Sequence, residues 1–197
     1  MSCKRIGIFG GSFNPVHLGH LILAETSREI CKLDEVRFIP TATAPHKRNK
    51  QTFPAEDRLR WLKLATADNP FFNIDCVELE REGVSYTADT LRHLHQVEPE
   101  SQLFLLLGAD MFHDLPNWRE PEVLCELATP VAVTRAGEPP IDWQKLSALQ
   151  IAEQWVVEMP PVQISSSEIR RKQAAGRSVR YLLPETVWKD FTKATLE

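Results

Sequence analysis

At 197 residues, with 43% of them apolar, the chain has the length of one domain and enough apolar content to bury a core. Its formal net charge is -4 with no long run of one sign, which argues against a general nucleic-acid binder, since such proteins carry a basic face. No run of about 18 apolar residues occurs, so no membrane-spanning helix is expected, and residues 1–5 lack the apolar segment of a signal peptide. The four cysteines (Cys3, Cys31, Cys76, Cys125) are far apart and form no CxxC pair, a usage expected of reduced, mostly buried thiols in a cytoplasmic protein.

Residues 5–9 read as a first strand carrying Ile6, Ile8 and Phe9, broken by Gly10-Gly11-Ser12-Phe13-Asn14-Pro15. A helix over 17–31 and a second strand over 35–40 complete a unit of βαβ size. Residues 41–54 are polar and read as a long loop. A helix over 55–68 sets Leu59, Leu62 and Ala65 on one side and Arg58, Arg60 and Lys63 elsewhere. A strand over 72–80 and a helix over 87–97 follow. The run 102–107 is almost continuously apolar, as suits a central parallel strand covered on both faces. A helix over 120–128, a strand over 130–134, a turn-rich linker over 136–140 and a strand over 155–158 come next. The last two helices are 165–175, with Gly176 where a left-handed cap is favoured, and 184–195, with proline at its first turn. Strands alternating with helices predict an α/β fold around a mostly parallel sheet flanked by helices, with a small helical C-terminal part, residues 1–197 making a single domain. In such sheets ligands bind beyond the C-terminal strand ends, where strand order reverses.

The segment Gly10-Gly11-Ser12-Phe13-Asn14-Pro15-Val16-His17-Leu18-Gly19-His20 lies between a strand and a helix. Glycines let the backbone approach an anion, Ser12 adds a hydroxyl, and a helix N-terminus adds free N–H groups. His17 and His20 are three apart and share one helix face. Gly19 between them costs about 1 kcal/mol relative to Ala, a cost explained if a nucleotide ring must lie against the helix. The spacing of Gly7, Gly10 and Gly11 does not fit G-x-G-x-x-G, no acid ends the second strand, and no Gly-Lys-Ser/Thr occurs. A dinucleotide fingerprint and a P-loop are therefore set aside. A metal site built on His17 and His20 would need further ligands, and none stands near in sequence. Farther on, Ile164-Ser165-Ser166-Ser167-Glu168-Ile169-Arg170 combines a capping pattern, Ser165-x-x-Glu168, with hydroxyls and an arginine at a helix start. Such a start suits phosphate oxygens, although a merely capped surface helix would read the same in isolation.

The two segments together resemble the HxGH nucleotidyltransferases, here His17-Leu18-Gly19-His20 and Ile164 to Arg170, and within them the bacterial nicotinate mononucleotide adenylyltransferases. Further matching segments are Pro45-His46-Lys47, Ser85-Tyr86-Thr87-Ala88-Asp89-Thr90-Leu91, Leu107-Gly108-Ala109-Asp110 and Leu115-Pro116-Asn117-Trp118. The resemblance implies a Rossmann-like fold and transfer of AMP from ATP to nicotinate mononucleotide. It assigns Gly10, Gly11, Ser12, Phe13, Gly108, Asp110, Ile164, Ser165 and Ser166 to ATP. It assigns Thr87, Trp118, Arg135 and Lys47 to the acceptor, and His17, His20, Lys47 and Arg170 to the transfer itself. Mg2+ is expected to be bound mainly through ATP phosphates, with no dedicated protein ligands. Three departures from the family pattern stand out: Asn14 where Asp is usual, Ala136 in an expected Arg-Pro-Gly, and Ser167 where Thr is common.

The acceptor is already a phosphate monoester with a second pKa of about 6, so the reaction needs no general base or protein nucleophile. It needs position and charge neutralisation. Nicotinamide mononucleotide, phosphopantetheine or a phosphorylated alcohol would suit both main motifs as acceptors, and a non-catalytic nucleotide-binding regulator on the same fold is the rival of another class. No nucleic acid or membrane partner is expected, and a homo-oligomer is possible.

Overall fold

The computed structural model describes residues 3–42, 52–81, 83–151 and 155–194. Its strands are β1 (Arg5–Gly11), β2 (Glu35–Pro40), β3 (Phe72–Ile74), β4 (Gln102–Gly108), β5 (Thr129–Arg135) and β6 (Val156–Met159). They form one six-stranded sheet of order β3-β2-β1-β4-β5-β6, and each described pairing is parallel. The helices are α1 (Leu18–Ile30), α2 (Ala55–Thr66), α3 (Val77–Glu80), α4 (Thr87–Val97), α5 (Ala109–Asp114), α6 (Pro121–Leu127), α7 (Trp143–Leu146), α8 (Ser166–Ala174) and α9 (Glu185–Phe191).

The apolar run of β4 serves both sheet faces because side chains alternate along a strand. Phe104 and Leu106 pack with Leu23 and Ala24 of α1, Trp61 and Leu62 of α2, Ile169 of α8 and Phe191 of α9. Leu103, Leu105 and Leu107 pack on the other face with Leu91 and Leu94 of α4, Phe112 of α5 and Leu124 of α6. α9 is pinned to α2 by the edge-to-face rings of Trp61 and Phe191, centroids 5.0 Å apart, and the Trp61 Nε1–H donates to Asp190 at 2.8 Å. Each such ring pair contributes about 0.5–1.5 kcal/mol beyond burial.

Several boundaries differ from the sequence expectation. β1 runs two residues farther, through Gly11, because β2 supplies ladder partners as far as Gly11 opposite Pro40. The strand expected over 72–80 stops at Ile74: the Asp75 side chain accepts the Val77 N–H at 2.9 Å, and this turn opens α3 instead. The short helices α5 and α7 were not anticipated. α5 starts directly at the end of β4 with no loop residues between them. α9 begins after Pro184, which takes the N-cap position, and ends at Phe191 rather than 195. The glycine cap after α8 is present: Gly176 has φ +65, and the N–H groups of Gly176 and Arg177 donate to Gln173 and Lys172 at 2.9 and 2.8 Å.

Strand order reverses between β1 and its neighbour β4, so the crevice beyond their C-terminal ends is the switch point of this sheet. Gly10 and Gly11 end β1 and Gly108 ends β4. No described atom stands within 4 Å of where a Cβ would sit on Gly10 or Gly108.

Candidate active site

The chain leaves β1 through a turn with an unusual interior. Phe13 has φ +42, in the left-handed region, where a side chain costs about 1–3 kcal/mol. Its ring is 1% exposed and sits edge-on to Phe9 at 5.5 Å and His20 at 5.2 Å. Burying a Phe recovers roughly 1.5–3 kcal/mol, enough to hold the turn. A Cβ on Gly11 would stand 3.2 Å from that ring, so glycine lets the loop fold over it. The Phe13 side chain therefore belongs to the core, and any contact it makes with a nucleotide falls to its main chain.

His17 is the N-cap residue of α1 and His20 lies in the first turn. Their rings stack, with centroids 3.7 Å apart and planes 22° from parallel. The His17 backbone N–H donates to His20 Nδ1 at 3.1 Å. An accepting Nδ1 leaves the ring proton on Nε2, which makes Nε2–H a donor. The His17 ring faces the His20 backbone in the reciprocal capping position, yet its buried Nδ1 closes no hydrogen bond among the described residues. Burial first, and the nearby Arg135 charge second, push the His17 pKa down to about 4. Gly19 has a local reason here: a Cβ on it would meet the His17 ring at 3.1 Å and the Ile164 carbonyl at 3.8 Å.

The second motif closes onto the first. Ser165 caps α8, accepting the Glu168 N–H at 3.2 Å. The Glu168 carboxylate pairs with Arg171. The Ser166 hydroxyl donates to the Pro15 carbonyl at 2.9 Å. Arg170 donates to the Asn14 carbonyl at 2.6 Å and to the Ser167 hydroxyl at 3.2 Å. Residues some 150 positions apart thus share one wall, with Ile164 packed against the core beneath. Asn14, a departure from the family pattern, is 3% exposed and its Oδ1 accepts the Phe53 N–H at 3.0 Å. An amide oxygen serves that bond without placing a carboxylate beside the phosphate loop.

On the other face of the sheet, Thr87 opens α4, Gly108 is the N-cap of α5, and the exposed Asp110 lies in its first turn. Trp118 follows a 3-10 turn (Leu115–Asn117), packs half-buried against the core, and keeps a buried Nε1–H without a partner among the described residues. Its neighbours are fastened to the start of α4. The Arg119 guanidinium lies 4.5 Å from the Tyr86 ring centroid, and Arg92 donates to Glu120 at 2.5 Å. Arg135 ends β5 and pairs with Glu138 at 3.0 Å, while its Nε is buried without a partner among the described residues. The structure therefore gathers His17, His20, the loop, the α8 start and Arg135 at the crevice, and Thr87 with Trp118 at the same edge of the sheet. Lys47 lies outside the described residues.

Two residues escaped the sequence reading. Arg58, read as lying away from the apolar side of α2, is 4% exposed and donates to four described main-chain carbonyls: Ser12 at 2.8 Å, Thr41 at 2.9 Å, Phe53 at 3.2 Å and Ala42 at 3.5 Å. Glu78 is 5% exposed and accepts the Thr90 hydroxyl at 2.8 Å, and burial holds its carboxyl above the usual range. Helical spacing alone gives the only sequence signal for Arg58: it shares a face with Leu62 and Ala65, at i+4 and i+7.

Groups that donate hydrogen bonds at a switch-point crevice, around a glycine-ended strand, suit the phosphates of a nucleotide. The Cytidylyltransferase-like family model matches residues 8–172. Curated relatives carry the name "Probable nicotinate-nucleotide adenylyltransferase". One from Geobacillus thermodenitrificans is 44% identical over 93% of this chain and 81% of its own length, and one from Thermus thermophilus is 46% identical over 93% and 94%. Among solved structures, Plasmodium falciparum nicotinic acid mononucleotide adenylyltransferase complexed with NaAD superposes with a TM-score of 0.80 over 96% of this chain and 95% of that one. At 19% identity this likeness establishes the fold. The chain belongs to the nicotinate-nucleotide adenylyltransferases, the nucleotidyltransferases that pass AMP from ATP to nicotinate mononucleotide in NAD biosynthesis.

Proposed function

We propose that this chain binds ATP in the crevice between β1 and β4 and presents its α-phosphorus to the phosphate of nicotinate mononucleotide, releasing pyrophosphate. Gly10, Gly11, Ser12 and the Phe13 main chain cradle the phosphates. Nε2–H of His20 and the neutral His17 imidazole donate to oxygens around the reacting phosphorus. Ser165, Ser166 and Arg170 hold the triphosphate end, with Ile164, Gly108 and Asp110 on the adenosine. Thr87, Trp118 and Arg135 receive the acceptor, and Lys47 is assigned to the phosphates by family resemblance. The acceptor phosphate attacks without a general base, so the protein's task is alignment and charge neutralisation. The site's donors are imidazoles, hydroxyls, a guanidinium and amides, a set that suits Mg2+ carried on the phosphate oxygens; the metal would neutralise charge there. Among the described residues, no cluster of three His, Cys, Asp or Glu gathers to hold a metal. No described helix is long and apolar enough to cross a membrane, and a cytoplasmic, single-domain enzyme fits this reading.

The observation that carries the proposal is the bond from Arg170 to the Asn14 carbonyl, which joins the two motifs around His17 and His20. Arg170→Met removes that bond and one cation from the triphosphate end. The expected result is a fall in turnover of roughly 10²-fold with a melting temperature lowered by only a few degrees. Turnover equal to the parent enzyme would remove Arg170 from the mechanism.

A further inference from the structure

We infer that Arg58 is a positioning residue for ATP: a buried guanidinium that aims the main chain of the phosphate loop and supplies a fixed positive charge behind it. Its four acceptors among the described residues are all carbonyls, drawn from three separate segments: Ser12 after β1, Thr41 and Ala42 after β2, and Phe53 before α2. In a trans peptide the C=O of one residue and the N–H of the next point in opposite directions. Turning the Ser12 carbonyl onto Arg58 turns the Phe13 N–H away from it, on the side of the loop opposite the guanidinium. The same geometry sets the Ala42 N–H through the Thr41 carbonyl. Phe53 is held from both ends, because its N–H also donates to Asn14. One side chain thereby fixes the relative placement of the loop, the end of β2 and the start of α2.

The charge matters separately from the geometry. Among the described residues none of the hydrogen-bond acceptors of Arg58 is a carboxylate, and burial pushes its pKa down. A buried charge without a counter-charge is costly. Carbonyl dipoles offset part of that cost, and a bound triphosphate would offset more. A planar fork suits several carbonyls at once, which a lysine ammonium cannot match in geometry although it keeps the charge.

The inference rests on ATP being the nucleotide bound, and its test separates charge from geometry. Arg58→Lys and Arg58→Met are compared with the parent enzyme for ATP affinity by calorimetry, for turnover with nicotinate mononucleotide, and for melting temperature. Arg58→Lys is expected to keep ATP affinity near that of the parent while turnover falls by about tenfold or more, since small misplacements near the reacting atoms cost that much. Arg58→Met is expected to lose both. Parent-like turnover in Arg58→Lys would overturn the positioning role, as would losses in either variant that follow only the folded fraction. If Arg58→Met fails to fold, Arg58→Lys decides alone. If the parent enzyme binds ATP but transfers nothing to nicotinate mononucleotide, the reaction assignment fails. The Arg58 role then stands or falls on whether Arg58→Met weakens ATP binding.

Discussion

His17 is 6% exposed, stacked on His20 and held neutral by burial and the nearby Arg135 charge, with a pKa of about 4. That depression has a stability consequence. An unfolded histidine takes up its proton near pH 6.5, whereas the folded one resists until about pH 4, so protons favour the unfolded chain across that window. The contribution is fully present above pH 6.5 and is lost as pH falls through 4, amounting to about 3 kcal/mol. Urea unfolding of the parent and of His17→Gln at pH 7 and pH 4.5 checks this: the parent should lose more stability over the interval, and equal losses would refute the assignment. At this scale the sequence reveals residue types better than their directions. His17, His20 and Arg170 stand out by motif, but the closeness of the His17 imidazole to Gly19 depends on a contact that only the folded turn creates. Arg58 looks like a surface cation because a charged residue at that helical position usually is one. Its burial depends on carbonyls that meet only once β1 and β2 are paired.

The elements divide the labour between the two sheet faces. α1, α2 and α8 pack on one face and carry the histidines, Arg58 and the second motif. α4, α5 and the Trp118 segment pack on the other and carry Thr87 and Trp118, proposed for the acceptor, with Asp110, proposed for the adenosine. Trp118 is placed by the two residues after it: Arg119 over Tyr86 and Glu120 on Arg92 tie the segment to the start of α4. Trp118→Ala should therefore raise KM for nicotinate mononucleotide by roughly 10-fold to 100-fold, the scale of a lost aromatic contact, and leave KM for ATP near the parent value. Steady-state kinetics with each substrate varied would show it, and a matching rise in both KM values would contradict the division. Long periodic elements were legible in the sequence, α4 and β2 to the residue. The misses are short. β3 ends where Asp75 caps a turn, and α5 and α7 span only six and four residues, too few for a hydrophobic period to declare itself.

For the whole molecule, the parallel sheet matters because it brings all six strand ends with the same sense to one edge, and the reversal of order between β1 and β4 opens that edge. Strand-helix alternation makes the architecture readable from the sequence. Strand order cannot be read that way, and it is strand order that makes the Gly10-Gly11 end of β1 and the Gly108 end of β4 neighbours and brings Arg135 toward His17. In the proposed reaction, donors fixed at this crevice transfer AMP to a pyridine mononucleotide without a general base. The decisive experiment is pyrophosphate release with ATP and Mg2+, comparing nicotinate mononucleotide, nicotinamide mononucleotide and phosphopantetheine in the parent enzyme and in His20→Ala. Release should be fastest with nicotinate mononucleotide and fall by roughly 10²–10³-fold in His20→Ala, the scale of one charge-stabilising donor. Faster release with another acceptor, unchanged release in His20→Ala, or ATP binding without release for any acceptor would contradict the proposed reaction.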